Sequence, residues 1–229
     1  IWGYETNGLA KTDEEMKSHL ASLPNGGQNA LGTNWAAGDI MYKDLNGDGK
    51  IDGGQGVLGN TGDRKVIGNE TPRYNFGLTL NAEYKGFDLS AYFTGAARTS
   101  TFFEDRTFWP FASGMGFFNV FKEIYDNRWT PETAGAAKYP VVTDGFNVQS
   151  MRRSTVWQKD ASYLRLKNLE VGYTLPKKVV SKLKINNLRV FVNGTNLYTW
   201  DKINHTIDPE SDNWYPIQRA VNFGLAVDF

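Results

Sequence analysis

Residues 74–93, YNFGLTLNAEYKGFDLSAYF, constrain the fold more than any other stretch of the chain. One alternate set is Phe76, Leu78, Leu80, Ala82 and Tyr84; its complement is Asn75, Gly77, Thr79, Asn81 and Glu83. After Lys85-Gly86 the alternation resumes, with Phe87, Leu89, Ala91 and Phe93 against Asp88, Ser90, Tyr92 and Thr94. A period of two is that of a strand with two unlike faces. With Lys85 and Gly86 as the loop of a tight hairpin, Tyr84 lies opposite Phe87, Ala82 opposite Leu89, Leu80 opposite Ala91 and Leu78 opposite Phe93. Both apolar sets then share one face. Each arm matches the ~9–11 residues that a tilted strand needs to cross a bilayer. The same pattern suits a long half-buried hairpin in a soluble sheet. Which solvent the apolar face meets is therefore decided elsewhere in the chain.

Three more stretches alternate. In YLRLKNLEVGYTL, residues 163–175, Leu169, Val171, Tyr173 and Leu175 oppose Glu170, Gly172 and Thr174. Leu164 and Leu166 are out of phase with them, which calls for a bulge near Lys167-Asn168 or for that end rising clear of a bilayer. LRVFVNGTNLYTW, residues 188–200, alternates moderately. In RAVNFGLAVDF, residues 219–229, Val221, Phe223, Leu225, Val227 and Phe229 oppose Asn222, Gly224, Ala226 and Asp228. A long, aromatic-tipped edge strand is an aggregation hazard in a soluble protein; in a closed barrel it is the last stave. The expected strands are thus 74–84, 86–95, 163–175, 188–200 and 219–229.

Their connections divide sharply by length. Lys85-Gly86 and residues 176–187, opened by Pro176, are short, whereas residues 96–162 and 201–218 are long. A long loop without regular structure is out of place in a compact soluble domain, but normal on the outer side of a membrane barrel. Tracing strands back from a periplasmic Phe229 puts every long connection outside and every short one inside.

Residues 1–73 are expected to form an external loop region. A short helix starts at Thr12, where Thr12 and Glu15 make a capping-box pattern, and Pro24-Asn25-Gly26-Gly27 stops it. DLNGDGKID follows. Asp44, Asn46 and Asp48 occupy positions 1, 3 and 5 of a calcium loop, and Gly49 sits at the sharp turn of position 6. Lys50 offers its carbonyl at position 7, Ile51 anchors the loop, and Asp52 sits at position 9. The carboxylate due at position 12 is replaced by Gln55. The expectation is a loop spanning residues 44–63, in which GGQGVLGNTG bulges out and Asp63 returns as the last ligand of a structural Ca²⁺. An Asn-Gly/Asp-Gly turn cluster that binds nothing is the simpler alternative.

Bulk composition narrows the function classes. Lys+Arg and Asp+Glu both number 25, giving zero formal net charge and no support for a nucleic-acid partner. The absence of Cys excludes disulfides, thiolate metal sites and a Cys nucleophile. No apolar run is long enough for a transmembrane helix. The opening IWGYETNG has neither Met nor a signal-peptide pattern, and reads as the start of a piece of a longer chain. A negative mean hydropathy of −0.48 is compatible with a barrel, whose lumen and loops are polar.

These motifs carry a family resemblance. GDIMYKDLNGDGKID, then DRKVIGNETPRYNFGLTLNAEYKGFDLSAYFTG, then SYLRLKNLEVGYTLPKK, then LRVFVNGTNLYTW and a terminal FGLAVDF resemble, in order, the C-terminal part of SusC/RagA-type TonB-dependent transporters of Bacteroidetes. The resemblance covers nearly the whole chain. It implies an all-β segment, about the last five strands, of an antiparallel outer-membrane barrel of about 22 strands. It also implies TonB–ExbB–ExbD-energised import of oligosaccharides or peptides, with a SusD-like surface lipoprotein as lid. Phe76, Leu78, Leu80, Leu89, Phe93, Val221, Phe223, Leu225 and Val227 are then expected to face lipid. Phe223 and Phe229 would serve as assembly signals. In the family the calcium loop runs directly into an Asp-Arg pair, whereas residues 53–62 intervene here. The plug and the TonB-contact segment lie outside this sequence.

Trp109, Trp129, Trp157, Trp214 and Tyr215 are the candidates to stack on cargo or pack on the lid, or else to fix loop structure. The alternative reading of the whole is a secreted, calcium-stabilised β-sandwich that binds glycans. An enzyme is not expected: His19 and His205 are isolated, and acid pairs such as Glu104-Asp105 or Asp208/Glu210 would have to be brought together by the fold at a set separation.

Overall fold

The computed structural model describes residues 1–104, 108–111, 120–143, 147–203, 207–211 and 217–229. Two compact units form, residues 1–70 with 101–159 and residues 71–100 with 160–229. Chain order suggested a division at residue 73 with one long loop over 96–162; in space, most of that loop joins the first 70 residues. Backbone bonds hold it there, Tyr4 N to Arg153 O (3.0 Å) and Thr155 N to Tyr4 O (3.1 Å).

In the first unit β1 (Trp2–Tyr4) pairs with β4 (Arg64–Val66), and β2 (Thr6–Leu9) with β3 (Ile40–Tyr42). Helix α1 (Asp13–Ala21) begins as the capping pattern requires, with Thr12 Oγ1 accepting from Glu15 N at 3.2 Å. Its Met16 is buried with Ala10 and Met41. Tyr4, Leu23, Leu31, Ile40, Tyr42 and Ile51 form the larger core. Buried Gln28 fixes β3 by donating to Ile40 O (3.1 Å) and accepting from Tyr42 N (2.5 Å).

The second unit is built on a five-stranded antiparallel sheet, whose members are β5 (Tyr74–Tyr84), β6 (Phe87–Ala97), β9 (Tyr163–Thr174), β10 (Asn187–Asp201) and β11 (Ala220–Asp228), ordered β11-β10-β9-β6-β5. In chain order β7 (Ser100–Phe102) and β8 (Gln158–Asp160) intervene; they form a separate two-stranded ladder, most of whose residues belong to the first unit. The hairpin register is the expected one, from Leu78↔Phe93 through Leu80↔Ala91 and Ala82↔Leu89 to Tyr84↔Phe87. Lys85 and Gly86 have φ of +49° and +87°, the positive pair that a tight hairpin turn demands.

The phase problem in β9 resolves as a bulge. Tyr92 pairs with Asn168 and Phe93 with Leu166, so Lys167 is the extra residue against β6. Against β10, Thr195 pairs with Asn168 and Tyr198 with Leu166, which adds a residue to β10 as well, where Asn196 takes φ +51°. The bulge leaves Leu164 and Leu166 on the apolar face and Arg165 on the polar one. Across the sheet the register groups Leu80, Leu89, Val171, Val190, Leu225 and their neighbours on a single exposed apolar face. Short connections, 85–86 and 175–186, lie at one end of the sheet, and long ones, 98–162 and 202–219, at the other.

Candidate calcium loop and the polar face of the sheet

The DLNGDGKID segment is folded tightly on itself. Gly47 and Gly49 take φ of +74° and +78°, which other side chains rarely adopt. Their N–H groups donate to Asp44, at 2.6 Å to Oδ1 and 2.9 Å to Oδ2. Asn46 Oδ1 accepts from Asp48 N (3.0 Å), and Asp48 Oδ1 accepts from Lys50 N (3.1 Å). Ile51 is fully buried, and its N–H donates to Gly27 O at 2.8 Å, anchoring the loop as expected.

Asp63 returns to this loop after the Gly-rich excursion. It is 0 % exposed, with Oδ1 accepting from Leu45 N and Oδ2 from Asp52 N, both at 2.8 Å. The two ends of the excursion are thereby tied, and Asp63 N also donates to Asp52 O at 3.0 Å. Burial pushes the Asp63 carboxyl above the usual range, and the charge of Asp44 adds to this. Burial acts on Asp44 in the same sense, but the N–H groups of Gly49 and Gly47 outweigh it and hold that carboxyl low. Lys50 Nζ lies 2.7 Å from Asp52 Oδ2 and holds Asp52 low, a pairing the sequence pattern did not suggest. Among the described residues no three His, Cys, Asp or Glu side chains converge as a metal cluster. Backbone shape and donor chemistry fit a hard cation, because every side chain at positions 1, 3, 5 and 9 presents oxygen.

The polar face of the second unit carries two ion-pair networks. Arg189 on β10 reaches across β9 to Asp88 on β6, with Nε 3.0 Å from Oδ2 and Nη2 close to Oδ1, and touches Glu170 at 2.6 Å on the way. Asn193 Nδ2 donates to Glu170 at 3.3 Å and Asn222 Nδ2 to Asn193 Oδ1 at 3.0 Å, extending the ladder to β11. Nearer the long connections, Arg165 is 1 % exposed. Its Nε donates to Thr199 Oγ1 (2.9 Å), Nη1 to Glu210 (2.9 Å) and Nη2 to both oxygens of Asp208 (2.7 Å each). Lys167 Nζ and the Tyr163 hydroxyl each donate to Glu210 at 2.8 Å. The acid pair Asp208/Glu210 is therefore held by cations and is not set as an acid and a base. Of the other pair, Glu104 is bonded to Arg153 Nε at 2.7 Å, and Asp105 lies outside the described residues.

The candidate loop aromatics behave differently from one another. Trp157 is 1 % exposed, donates from Nε1 to Ser150 O at 2.8 Å and lies 5.6 Å from the Tyr139 ring. It fixes loop structure and offers no face to a sugar, a correction to its place among the stacking candidates. Trp109 is half-buried 6.5 Å from Trp157, and Trp129 is half-buried over Gly38. Trp214, Tyr215 and His205 lie outside the described residues. The apolar face carries aromatics that sequence reading left unassigned: Tyr198 and Trp200, 4.7 Å apart, beside the long connections, and Tyr173, 4.5 Å from Phe87, beside the short turn. Strand polarity combined with the side assignment was the signal that would have found them.

No family model matches the chain. Among curated proteins it is similar to TonB-dependent receptor P3 of Formosa agariphila, 27% identical over 230 residues covering 100% of this chain and 20% of that protein. TonB-dependent receptor P26 of the same organism is 30% identical over 211 residues, 84% of this chain and 20% of that protein. The chain thus spans about a fifth of the length of the relatives it matches. In structure it resembles the RagAB peptide transporter (TM-score 0.64, 22% identity) and the RagAB peptide importer in the open-open state (TM-score 0.63, 21% identity), covering 100% of this chain and 22% of each of those chains. In sequence the chain is thus related to TonB-dependent receptors, and in fold it is consistent with a C-terminal SusC/RagA-like part.

Proposed function

We propose that this chain is the C-terminal wall of a TonB-energised outer-membrane importer, with its apolar sheet face in lipid and its polar face toward the lumen. The observation that carries the reading is the two-faced sheet. One face is apolar and exposed on all five strands, with Phe223 at 84 % and Leu225 at 70 %, and the other is crossed by Arg189, Glu170 and Asp88. Such a face has no stable place in water. Aromatics at both ends of it, Tyr84 and Phe87 at one and Tyr74, Tyr198 and Trp200 at the other, suit the two interfaces of a bilayer. The related receptors and the fold of RagAB point the same way. Phe76, Leu78, Leu80, Leu89, Phe93, Val221, Phe223 and Val227 then meet acyl chains, and Phe229 with Phe223 signals assembly.

A SusD-like lipoprotein lid is part of the proposal, supported by the likeness to RagAB. Peptides stand beside oligosaccharides as cargo, since the RagAB structures are described as those of a peptide importer. Fractionation of the full-length protein tests the reading. Recovery from the outer membrane only with detergent supports it, and recovery as a soluble monomer favours the calcium-stabilised sandwich instead.

Calcium belongs to this proposal as a structural ion. Asp44, Asn46, Asp48, the Lys50 carbonyl, Asp52 and Asp63 would hold it, and it would offset the negative charge that buried Asp63 and Asp44 place side by side. It supplies no chemistry beyond stiffening the loop. Density for an ion with oxygen ligands at ~2.3–2.6 Å supports the site; water at that position refutes it.

A further inference from the structure

The chain between β10 and β11 is long enough to stand free of the sheet, yet part of it is tied down hard. Asp208 and Glu210 are anchored by three residues of one strand, Tyr163, Arg165 and Lys167, with Thr199 of β10 completing the coordination of Arg165. Arg165 is almost wholly buried by this arrangement, although it stands on the polar face of the sheet. A guanidinium with its donors on two carboxylates and a hydroxyl is rigidly oriented.

The bulge makes the anchor possible. In a regular strand Arg165 and Lys167 share a face, but Leu169 would then fall on that face too. The extra residue at Lys167 lets Arg165, Lys167 and Asn168 serve the polar side while Leu164, Leu166 and Leu169 keep the apolar one. Asp208 also shapes its own segment, its Oδ1 accepting from Glu210 N at 2.9 Å and its carbonyl from Ser211 N at 3.2 Å. The carboxylates are thereby presented to Arg165 as a preformed pair.

We infer that Tyr163, Arg165 and Lys167 are an ion-pair clamp that holds residues 207–211 folded over the polar face of β9 and β10, making this part of the connection a fixed strap. If that face lines a lumen, as proposed above, the strap narrows the passage from its loop end, and cargo passes against Asp208 and Glu210 rather than an open wall. The clamp stands on the ion pairs alone, and only its effect on passage rests on the transporter reading.

Hydrogen exchange of the full-length protein tests the clamp whether or not the face lines a lumen. In Arg165→Gln, the peptide containing residues 207–211 should exchange at least about tenfold faster, with β10 and β11 unchanged. That factor corresponds to about 1.4 kcal/mol of local stability. Should Arg165→Gln fail to assemble, Lys167→Met with Glu210→Gln removes the outer half of the clamp and should give the same local change. Unaltered exchange at 207–211 in a folded variant overturns the inference. Acceleration spread equally over β9, β10 and β11 also overturns it, by showing that Arg165 supports the sheet and not the strap.

Discussion

Arg189 reaches Asp88 across an intervening strand, and it does so through the space left by Gly172. A Cβ at Gly172 would collide with the guanidinium and with the Asp88 carboxylate together. The glycine of the alternating stretch LEVGYT is thus the notch through which the first and third strands of this trio pair electrostatically. Gly172→Val should close the notch at a cost of about 1–3 kcal/mol from overpacking. Loss of heat-resistant barrel migration in cold-loaded gels, together with normal behaviour of Gly135→Ala, whose added Cβ meets open space, is the expected result.

The two faces of the sheet should differ in their tolerance of charge. Leu80→Arg or Leu225→Arg should impair membrane assembly, costing ~2–4 kcal/mol near the bilayer midplane. Thr79→Arg, on the opposite face of the same strand, should assemble. Counting folded protein in outer-membrane fractions distinguishes them, and equal tolerance would remove the assigned orientation.

Calcium should stabilise the full-length protein and a chelator should reverse the gain. At a free concentration one hundred times the dissociation constant, linkage gives about 2.7 kcal/mol. Asp44→Asn and Asp63→Asn should each abolish the calcium-dependent shift in melting temperature. A shift retained in both variants would assign the ion to another place.

Trp157→Ala should cost ~3–5 kcal/mol through the cavity it leaves. Uptake by whatever correctly assembled protein remains should keep its KM, because the ring is buried among Tyr139 and Trp109. A raised KM with unchanged stability would instead make it a cargo contact.

Acid should release the strap. Burial raises the Glu210 carboxyl, but Lys167, Tyr163 and Arg165 more than offset it and hold the group below its ordinary 4.5. A carboxyl lowered in the folded state contributes stability that is complete above the unfolded value and lost as pH falls through the folded one. A spin label at Ser211 should therefore stay immobile at neutral pH and gain mobility only below 4.5, while in Glu210→Gln it should be mobile at neutral pH.

Much of the sheet was legible because its information is local. The period-two alternation of 74–93 and the two-residue turn together specify register, since a slip of one residue would exchange the faces. The phase break at Leu164 and Leu166 announced a bulge, though it did not distinguish one from a strand leaving the bilayer. For the loop, Asp63 was legible as the carboxylate that returns, from the schedule of ligand positions alone. The grouping of residues 101–159 with 1–70 was not legible, because bonds such as Tyr42 Oη to Gln149 O join positions 107 apart, with no periodic signal to mark them.

Alternation, turn residues and the spacing of acidic residues in the sequence by themselves determined the five long strands, the hairpin register, the two unlike faces and the oxygen-rich loop, since each depends on neighbours a few residues away. The short strands β1–β4, β7 and β8, whose partners lie far along the chain, were not legible. Tertiary structure alone decided which charges meet. Arg189 with Asp88 and Arg165 with Asp208 and Glu210 are chosen by strand order, by one glycine notch and by one bulge. Electrostatic partners across a sheet depend on distances in space that the order of residues does not encode locally.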